Sequence, residues 1–214
     1  MVRRGRVKPQ QYTHRGYHAK HPREARFYKK LLKQVSNNKI RLAVTSSHVL
    51  TSLIRNFTKE LVDVAIEATI YRGKGTLTAR SIQCGLRVCL GGGQLLHFAI
   101  VHGMSAVTKM HLKDKPIIPV SYIRNQIKSS LTRLRVAKDA CVYLSAVIEY
   151  LCFEILELSF NTANNMKLTQ ITPRHIFLSI NDDPELCKAF NKPGTVFVQG
   201  GSASFHVKNN NVQE

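Results

Sequence analysis

The stretch CVYLSAVIEYLCFEILELSFNTANNM, residues 141–166, determines how the rest of the chain has to fold. Its large apolar residues recur at intervals of three and four positions, which places them on one face of an α-helix. This stripe consists of Leu144, Val147, Ile148, Leu151, Ile155 and Leu158. Neither Pro nor Gly interrupts the pattern, so it predicts one amphipathic helix of about seven turns.

The stretch Ser46–Arg72 has the same periodicity and lies 94 residues earlier, since Leu50 corresponds to Leu144 and 144 − 50 = 94. It predicts a second long helix, with Ser46 or Ser47 as its N-cap. At the shared offset, apolar residues meet apolar residues through the whole length of both helices. The chain therefore contains a repeat, whose first and second units we call copy 1 and copy 2.

The repeat continues without a gap on both sides of the long helices. Upstream, Lys39–Leu42 matches Arg133–Val136, and the alternation of basic and apolar residues predicts a short strand with one cationic face. Downstream, Leu77–Ile82 matches Ile171–Ile176, in which a Thr N-cap leads into a short helix and Pro173 occupies its first position.

Neither copy is large enough to bury the apolar stripe of its own long helix. The tethered second copy is the nearest available cover, so we predict an all-α fold in which the two copies pair about a pseudo-twofold axis. Pairing of this kind places the first loop of one copy beside the second loop of the other. Cations then collect at the outer edges, with Lys39, Arg41 and Lys74 in copy 1 and Arg133 and Arg135 in copy 2.

The charge of the chain is distributed unevenly. The formal net charge is +19, and residues 1–113 hold 21 of the 32 Lys and Arg residues but 4 of the 13 acidic ones. The first 33 residues are basic and poor in large aliphatic side chains, which predicts a disordered arm with nucleic acid as its partner. Against this background, Glu149, Glu154 and Glu157 lie within about 140° of one another on one flank of the second long helix.

Several classes of protein are excluded at this stage. No apolar run reaches the roughly 18 residues that span a bilayer, and no signal sequence is visible, so we expect neither a membrane nor a secreted protein. The five cysteines form no CxxC pair and alternate with apolar residues, which indicates buried thiols in a reducing compartment. We expect no metal site and no cofactor.

The residues resemble the histone fold, and within it particular core histones. Copy 2, from Val142 to Leu186, is similar to histone 2A, and the segment TVFVQGG at Thr195–Gly201 resembles its docking tail. Copy 1 resembles histone 2B through YKKLLKQV at 28–35, LTARSIQ at 77–83 and GMSAVTK at 103–109. The last of these lies in an extra helix, roughly Gln94–Leu112, that the 2B type has and copy 2 lacks.

This resemblance divides the chain into five parts. They are a basic disordered arm at 1–26, a 2B-like fold with its extra helix at 27–112, a linker at 113–118, a 2A-like fold at 119–190, and a docking-like segment with the C-terminal tail at 191–214. Because 2A and 2B are separate chains in cells, the fusion resembles the histone doublets of giant viruses of the Marseillevirus type. The implied location is chromatin or a viral nucleoprotein, including the virion and viral factory or the host nucleus.

The resemblance also implies partners and a function. The chain would pair with a histone 3 and histone 4-type doublet or dimer, join a second copy of itself in an octamer-like particle, and wrap double-stranded DNA without reading its sequence. Arg135 falls where the 2A family places its groove arginine, and Arg41 corresponds to it by the repeat. The further candidates for DNA binding are Lys39, Lys74, Thr76, Arg80, Arg124, Lys128, Arg133, Thr169 and Arg174. Gln170 stands where the 2A family has a second-loop arginine, which predicts a weaker contact there.

In the 2A family, glutamates on the matching flank form an acidic patch that binds basic peptides. The corresponding residues here are Glu149, Glu154, Glu157, Asp183 and Glu185. The patch is reduced, because Pro184 interrupts it and because Gln94 and His102 replace the glutamates of the 2B type. We therefore expect weak binding of cellular chromatin factors.

Three other functions were weighed against this one. An enzyme is disfavoured because His97, His102 and His175 have no nucleophile or paired carboxylate at a recognisable spacing, and Gly91–Gly93 lacks the Lys of a phosphate loop. A histone-fold transcription factor subunit that binds specific DNA remains the main alternative. A basic ribosomal or viral-core packaging protein would not account for the 94-residue repeat.

Overall fold

The computed structural model describes residues 20–37, 39–111, 116–130 and 134–191. Each copy has a long helix between two short ones, with a two-residue strand in each connection. The elements of copy 1 are α1 (Ala25–Ser36), β1 (Arg41–Leu42), α2 (Val44–Tyr71), β2 (Thr76–Leu77), α3 (Ala79–Leu90) and α4 (Gln94–Thr108). Those of copy 2 are α5 (Val120–Ser130), β3 (Arg135–Val136), α6 (Lys138–Asn165), β4 (Gln170–Ile171), α7 (Pro173–Asp182) and α8 (Pro184–Phe190). The all-α fold with two paired copies is as predicted.

The two long helices correspond residue for residue, since each has 28 residues and their first residues are 94 positions apart. The prediction that Ser46 or Ser47 caps α2 is wrong, because the helix begins at Val44 with Ala43 as its N-cap. The Ser46 hydroxyl instead donates to the Ile171 carbonyl of copy 2 at 2.8 Å. The Ser46 side chain therefore bonds to the other copy and does not cap its own helix.

Two short parallel ladders join the copies. β1 pairs with β4, and β2 pairs with β3, so that each first loop lies beside the second loop of the other copy. The hydrogen bonds repeat with the sequence: Arg41 N donates to Thr169 O, and Arg135 N donates to Gly75 O, both at 3.0 Å. The predicted strands and the pseudo-twofold pairing are thereby confirmed.

The turn after each long helix has the same backbone geometry but a different residue. Gly73 in copy 1 has φ 66°, and Lys167, 94 positions later, has φ 57°. A left-handed conformation is easy for glycine and strained for lysine. Copy 2 therefore retains a turn that its own residue does not favour, because the adjoining strand has to reach the ladder.

The core is one hydrophobic cluster to which both copies contribute. Leu50 and Leu61 of α2 and Leu144, Leu151 and Ile155 of α6 are completely buried. Helix α6 is the more enclosed of the two, because it packs against α1, α3 and α4 of copy 1 as well as against its own neighbours.

The two copies differ in the helices that follow α3 and α7. Gly91, Gly92 and Gly93 all have positive φ and separate α3 from α4, as predicted for a break between helices. The extra helix α4 ends at Thr108 and is followed by a 3-10 turn at Lys109–His111. Within the described residues, copy 2 has the seven-residue α8 at the corresponding place. The basic arm up to residue 19, much of the linker and the docking-like segment after Asn191 lie outside the described residues.

All five cysteines lie within the described residues. All five thiols are free; Cys89, Cys141 and Cys152 are buried, whereas Cys84 and Cys187 are half-buried. Burial raises the pKa of the Cys152 thiol. Within the described residues, no helix is long and apolar enough to cross a membrane, and no group of His, Cys, Asp and Glu is arranged to hold a metal ion.

Candidate nucleic-acid interface

One outer edge is formed by the β1–β4 ladder. Arg41 pairs in register with Gln170, and both side chains are exposed. Lys39 lies just before β1, Thr169 just before β4, and Arg174 in the first turn of α7, all three exposed. This edge therefore presents three cations together with one hydroxyl and one amide to the solvent.

The second edge is formed by the β2–β3 ladder. Arg135 pairs in register with Thr76, and its side chain is exposed. Lys74 is exposed in the preceding loop, and Arg80 is exposed in the first turn of α3. Arg133, a further candidate, lies outside the described residues. The ladders assign Lys74 to the edge of Arg135 rather than to that of Lys39 and Arg41.

Helix N-termini meet both edges and are capped by different means. The Thr172 side chain and His175 form a reciprocal capping box at the start of α7, and Thr172 N donates to His175 Nδ1 at 3.0 Å. Thr78 makes no side-chain cap at α3, where Ala79 N donates instead to Asp139 Oδ2 of copy 2 at 3.3 Å. Burial and the nearby Arg174 lower the pKa of His175. A neutral imidazole suits the acceptor role of Nδ1, so this histidine has a structural function.

Among the acidic candidates, Glu154 lies close enough to Glu157 of α6 and to Asp183 at the start of α8 for their charges to interact. Burial raises the pKa of Glu154, and the charges of Glu157 and Asp183 raise it further. The His102 ring stacks on Tyr150 with centroids 4.7 Å apart, beside this group. A cavity of about 420 Å³ opens between α1, α4 and α6 and is lined in part by Glu149, Glu154 and Lys109.

Three of the five carboxylates accept hydrogen bonds from the backbone of the protein itself. Glu185 accepts from Gln94 N at 3.0 Å and from Leu95 N at 2.6 Å, which caps α4 from copy 2. Asp183 Oδ1 accepts from the amides of Glu185 and Leu186 at the start of α8. Glu149 accepts from Ile118 N at 3.2 Å, just before α5. These groups fasten helix starts, a role that the sequence analysis did not assign to them.

A further charged network was also missed from sequence. The buried Glu24, at the N-terminus of α1, accepts from Arg55 Nη2 at 2.8 Å and from the Tyr122 hydroxyl at 2.9 Å. Gln126 Nε2 donates in turn to the Tyr122 oxygen at 2.8 Å. The network joins three helices of both copies. Its only sequence signal is the isolated Glu24 in a stretch that is otherwise basic.

Arg124 and Lys128 are exposed on α5, a helix that is in contact with β3. The structure therefore does not gather all the predicted basic residues in one place. It distributes them over two loop edges and the first helix of copy 2.

Comparison with known proteins identifies relatives of the whole chain and of copy 2. The protein named Histone H2B.v1 of Dictyostelium discoideum is 36% identical over 208 residues, which cover 85% of this chain and 90% of the relative. A histone 2A of Plasmodium falciparum is 47% identical over 83 residues, or 39% of this chain and 61% of that protein. No protein-family model matches the chain.

Among solved structures, the crystal structure of the histone from Methanopyrus kandleri matches with a TM-score of 0.53 at 13% identity. The match covers 78% of this chain and 98% of the other, which is more than either copy alone. At this identity the likeness concerns the fold, and it supports two histone folds in tandem.

The Glu24 network predicts a loss of stability in acid. Burial acts to raise the pKa of Glu24, but the hydrogen bonds from the backbone, Tyr122 and Arg55, with the Arg55 charge, lower it below its ordinary value. A lowered pKa in the folded state stabilises the fold above the unfolded pKa, and this contribution is lost as the pH falls through the folded one. We expect Glu24→Gln to be less stable than wild type at neutral pH, and the difference to shrink below about pH 4.5.

The measurement is the free energy of unfolding by urea at a series of pH values between 7 and 3.5. Other acids, including Glu154, titrate in both proteins, so the difference between wild type and variant isolates Glu24. Glu67→Gln, at an exposed position of α2, controls for the loss of one carboxylate. If the difference in unfolding free energy between wild type and Glu24→Gln did not change with pH, the stabilisation by Glu24 would not depend on its negative charge.

Proposed function

The chain belongs to the histone family, and from this premise we propose that it is a fused 2B–2A core histone that wraps DNA together with histone 3 and histone 4-type partners. Membership carries a general role in packaging DNA in chromatin. The proposal concerns how this chain performs that role, through which residues and with which partners.

The observation that carries the proposal is the pair of ladders between the copies. Each ladder holds one exposed arginine, Arg41 or Arg135, at the same register position of an edge. A rigid two-stranded edge fixes the separation of the two arginines, as is required to follow a regular, bent duplex. Cations and hydroxyls predominate at both edges, and these groups contact phosphates rather than reading base sequence.

A partner-binding end is indicated by a difference between the copies. Ile70 and Tyr71, at the C-terminal end of α2, are 60% and 94% exposed, and Val88 on α3 is 64% exposed. Arg72 Nη2 lies 4.0 Å from Cys84 Sγ, which brings the end of α2 against the face of α3 that carries Val88 one turn later. We call Ile70, Tyr71 and Val88 the apolar end of copy 1.

The same positions in copy 2 are polar. Asn164, Asn165 and Asp182 correspond to them at the 94-residue offset, and all three are exposed. Because the two copies share one scaffold, folding alone does not require apolar residues at one end only. An exposed apolar group of this kind fits a protein surface, and we assign it to the histone 3 and histone 4-type partner.

The remaining parts of the proposal follow the family resemblance. A second copy of the chain would complete an octamer-like particle. A giant-virus origin, with residence in a virion or viral factory, is supported by the fusion of two copies in one chain. The Dictyostelium relative also aligns over both copies, so the fusion is not peculiar to viruses. Residence in chromatin does not depend on a viral source.

The acidic patch is proposed to be a weak docking site. Glu185, Asp183 and Glu149 already accept backbone amides, and Gln94 and His102 supply no negative charge. An incoming basic peptide would find fewer uncommitted carboxylate oxygens than a patch of six or more acids offers. Glu154 and Glu157 remain as its centre.

DNA wrapping is tested by nuclease protection. The full chain is mixed with a fused histone 3–histone 4 partner and random-sequence DNA at moderate salt, then digested with micrococcal nuclease. We expect discrete protected fragments that require the partner.

In titrations of the chain on the same DNA, Arg41→Ala and Arg135→Ala should each lower the slope of log affinity against log salt by about 0.9, because one phosphate contact is lost. Lys109→Ala, an exposed lysine near the acidic cavity, should leave the slope unchanged. Protection confined to one DNA sequence would favour the transcription factor instead.

The partner end is tested by transferring the residues of copy 2. Ile70→Asn with Tyr71→Asn should weaken association with the histone 3–histone 4 partner roughly 30-fold or more, because a buried interface aromatic contributes about 2 kcal/mol or more. Sedimentation in high salt without DNA measures this association. Asn164→Ala with Asn165→Ala is the matched control at the other end. Equal losses from both pairs, or from neither, would contradict the assignment.

The reduced patch is tested by titrating a basic histone-tail peptide onto the assembled particle. We expect weaker binding than to a cellular nucleosome. Restoring acids through Gln94→Glu and His102→Glu should tighten binding roughly 2- to 30-fold, since exposed ion pairs contribute about 0.2–1 kcal/mol each. Wild-type affinity equal to that of the cellular nucleosome would refute the idea.

A further inference from the structure

A second groove lies between α2 of copy 1 and α5 of copy 2, with a volume of about 550 Å³. One wall carries Arg55 and Lys59, which are one helical turn apart on α2. The other wall, on α5, carries amides and hydroxyls. The polar residues of that wall are Asn125, Gln126, Ser129 and Ser130. Among the described residues, no carboxylate lines this groove.

The Glu24 network holds two polar side chains of the groove, Arg55 and Gln126, in place. Arg55 is held by buried Glu24 at 2.8 Å, while its side chain is 61% exposed. A guanidinium has five N–H donors, so the contact with Glu24 leaves others for a second acceptor. Gln126 is fixed in the same network through Tyr122. Lys59 forms no salt bridge with any described residue, so its charge is available at the groove.

The pseudo-twofold axis relates this groove to the acidic cavity between α1 and α6. At the 94-residue offset, Arg55 corresponds to Glu149 and Lys59 to Phe153, and both of these line the acidic cavity. Helix α4 covers the acidic cavity in part, whereas copy 2 has no helix of that length within the described residues to cover the basic groove. The same position in the repeated fold is therefore basic beside α2 and acidic beside α6.

We propose that the basic groove binds a phosphodiester group of duplex DNA, and that α2 of copy 1 thereby contributes a phosphate contact separate from the two loop edges. This inference rests on the proposed function and adds Arg55 and Lys59 to its DNA-binding residues. Two cations facing amide and hydroxyl donors suit a phosphate, which accepts several hydrogen bonds at once. Arg124 and Lys128 are exposed on the same helix as the α5 wall but do not line the groove.

Duplex DNA fits this groove better than a single strand does. Single-strand sites need aromatic rings on which unpaired bases stack. Tyr122 is the one aromatic residue among the described lining, and its hydroxyl is engaged by Glu24 and Gln126. Recognition is therefore of the backbone, in keeping with binding that ignores sequence.

The test compares the salt dependence of binding to a random-sequence duplex, using the full chain throughout. Lys59→Gln should reduce the slope of log affinity against log salt by about 0.9, and Asn125→Arg should increase it by about 0.9, because one phosphate contact is lost or gained. Both positions are exposed, so neither change disturbs the core. Lys109→Gln, beside the acidic cavity, is the matched control and should keep the wild-type slope.

The result that overturns the inference is a wild-type slope in both Lys59→Gln and Asn125→Arg, while wild type itself binds with strong salt dependence. An equal loss in Lys109→Gln would also overturn it, because the effect would then reflect net charge rather than the groove. Failure of the proposed function is recognised separately, by the absence of partner-dependent protected fragments with wild-type protein. An equal loss of affinity for single strands and duplex in Lys59→Gln would refute the assignment to duplex DNA.

Discussion

The burial of both long helices in one shared hydrophobic core is the constraint on which the rest of the structure depends. Helix α6 packs against α1, α3 and α4 of copy 1, and α2 packs against α5 and α7 of copy 2, so each long helix is covered in part by the other copy. The ladders follow from this packing, because crossed helices of equal length bring the loops at opposite ends together in pairs. The cationic edges are thus a consequence of how the core is closed. Tethering the copies in one chain keeps them at high effective concentration for each other.

Because the two copies have the same fold, differences between their exposed residues indicate what each surface contacts. The C-terminal end of the long helix is apolar in copy 1 and polar in copy 2, and the groove beside the long helix is basic in one half and acidic in the other. Exposed residues that contribute little to folding are free to diverge. The repeat therefore supplies an internal reference, in which each copy shows what the scaffold alone requires of the other.

The sequence predicted what depends on periodicity and on the repeat, and could not predict which side chains bond from one copy to the other. The helices, the strands and their pairing follow from apolar spacing and the repeat. The N-cap of α2 was missed because Ser46 bonds across to Ile171, and the cap of α3 comes from Asp139 of copy 2 rather than from Thr78. Arg55 and Lys59 were overlooked because they lie on a long helix, where basic side chains on the outer face are ordinarily solvated. Only the approach of α5 makes a groove of that face.

The acidic flank in so basic a protein has a structural explanation that precedes any docking role. Helix starts leave amide groups without partners, and carboxylates are favourable there both as acceptors and as charges opposed to the helix dipole. Glu185 serves α4, Asp183 serves α8, and Glu149 accepts the amide of Ile118 just before α5. The contacts of Glu185 with α4 and of Glu149 with Ile118 join elements that are distant in the sequence. These acids therefore satisfy the amides at the helix starts and also fix the positions of the helices. A basic side chain could not replace them, because it offers no acceptor. Glu149, Asp183 and Glu185 are therefore kept by the fold itself, and any peptide that binds there competes for carboxylates already in use.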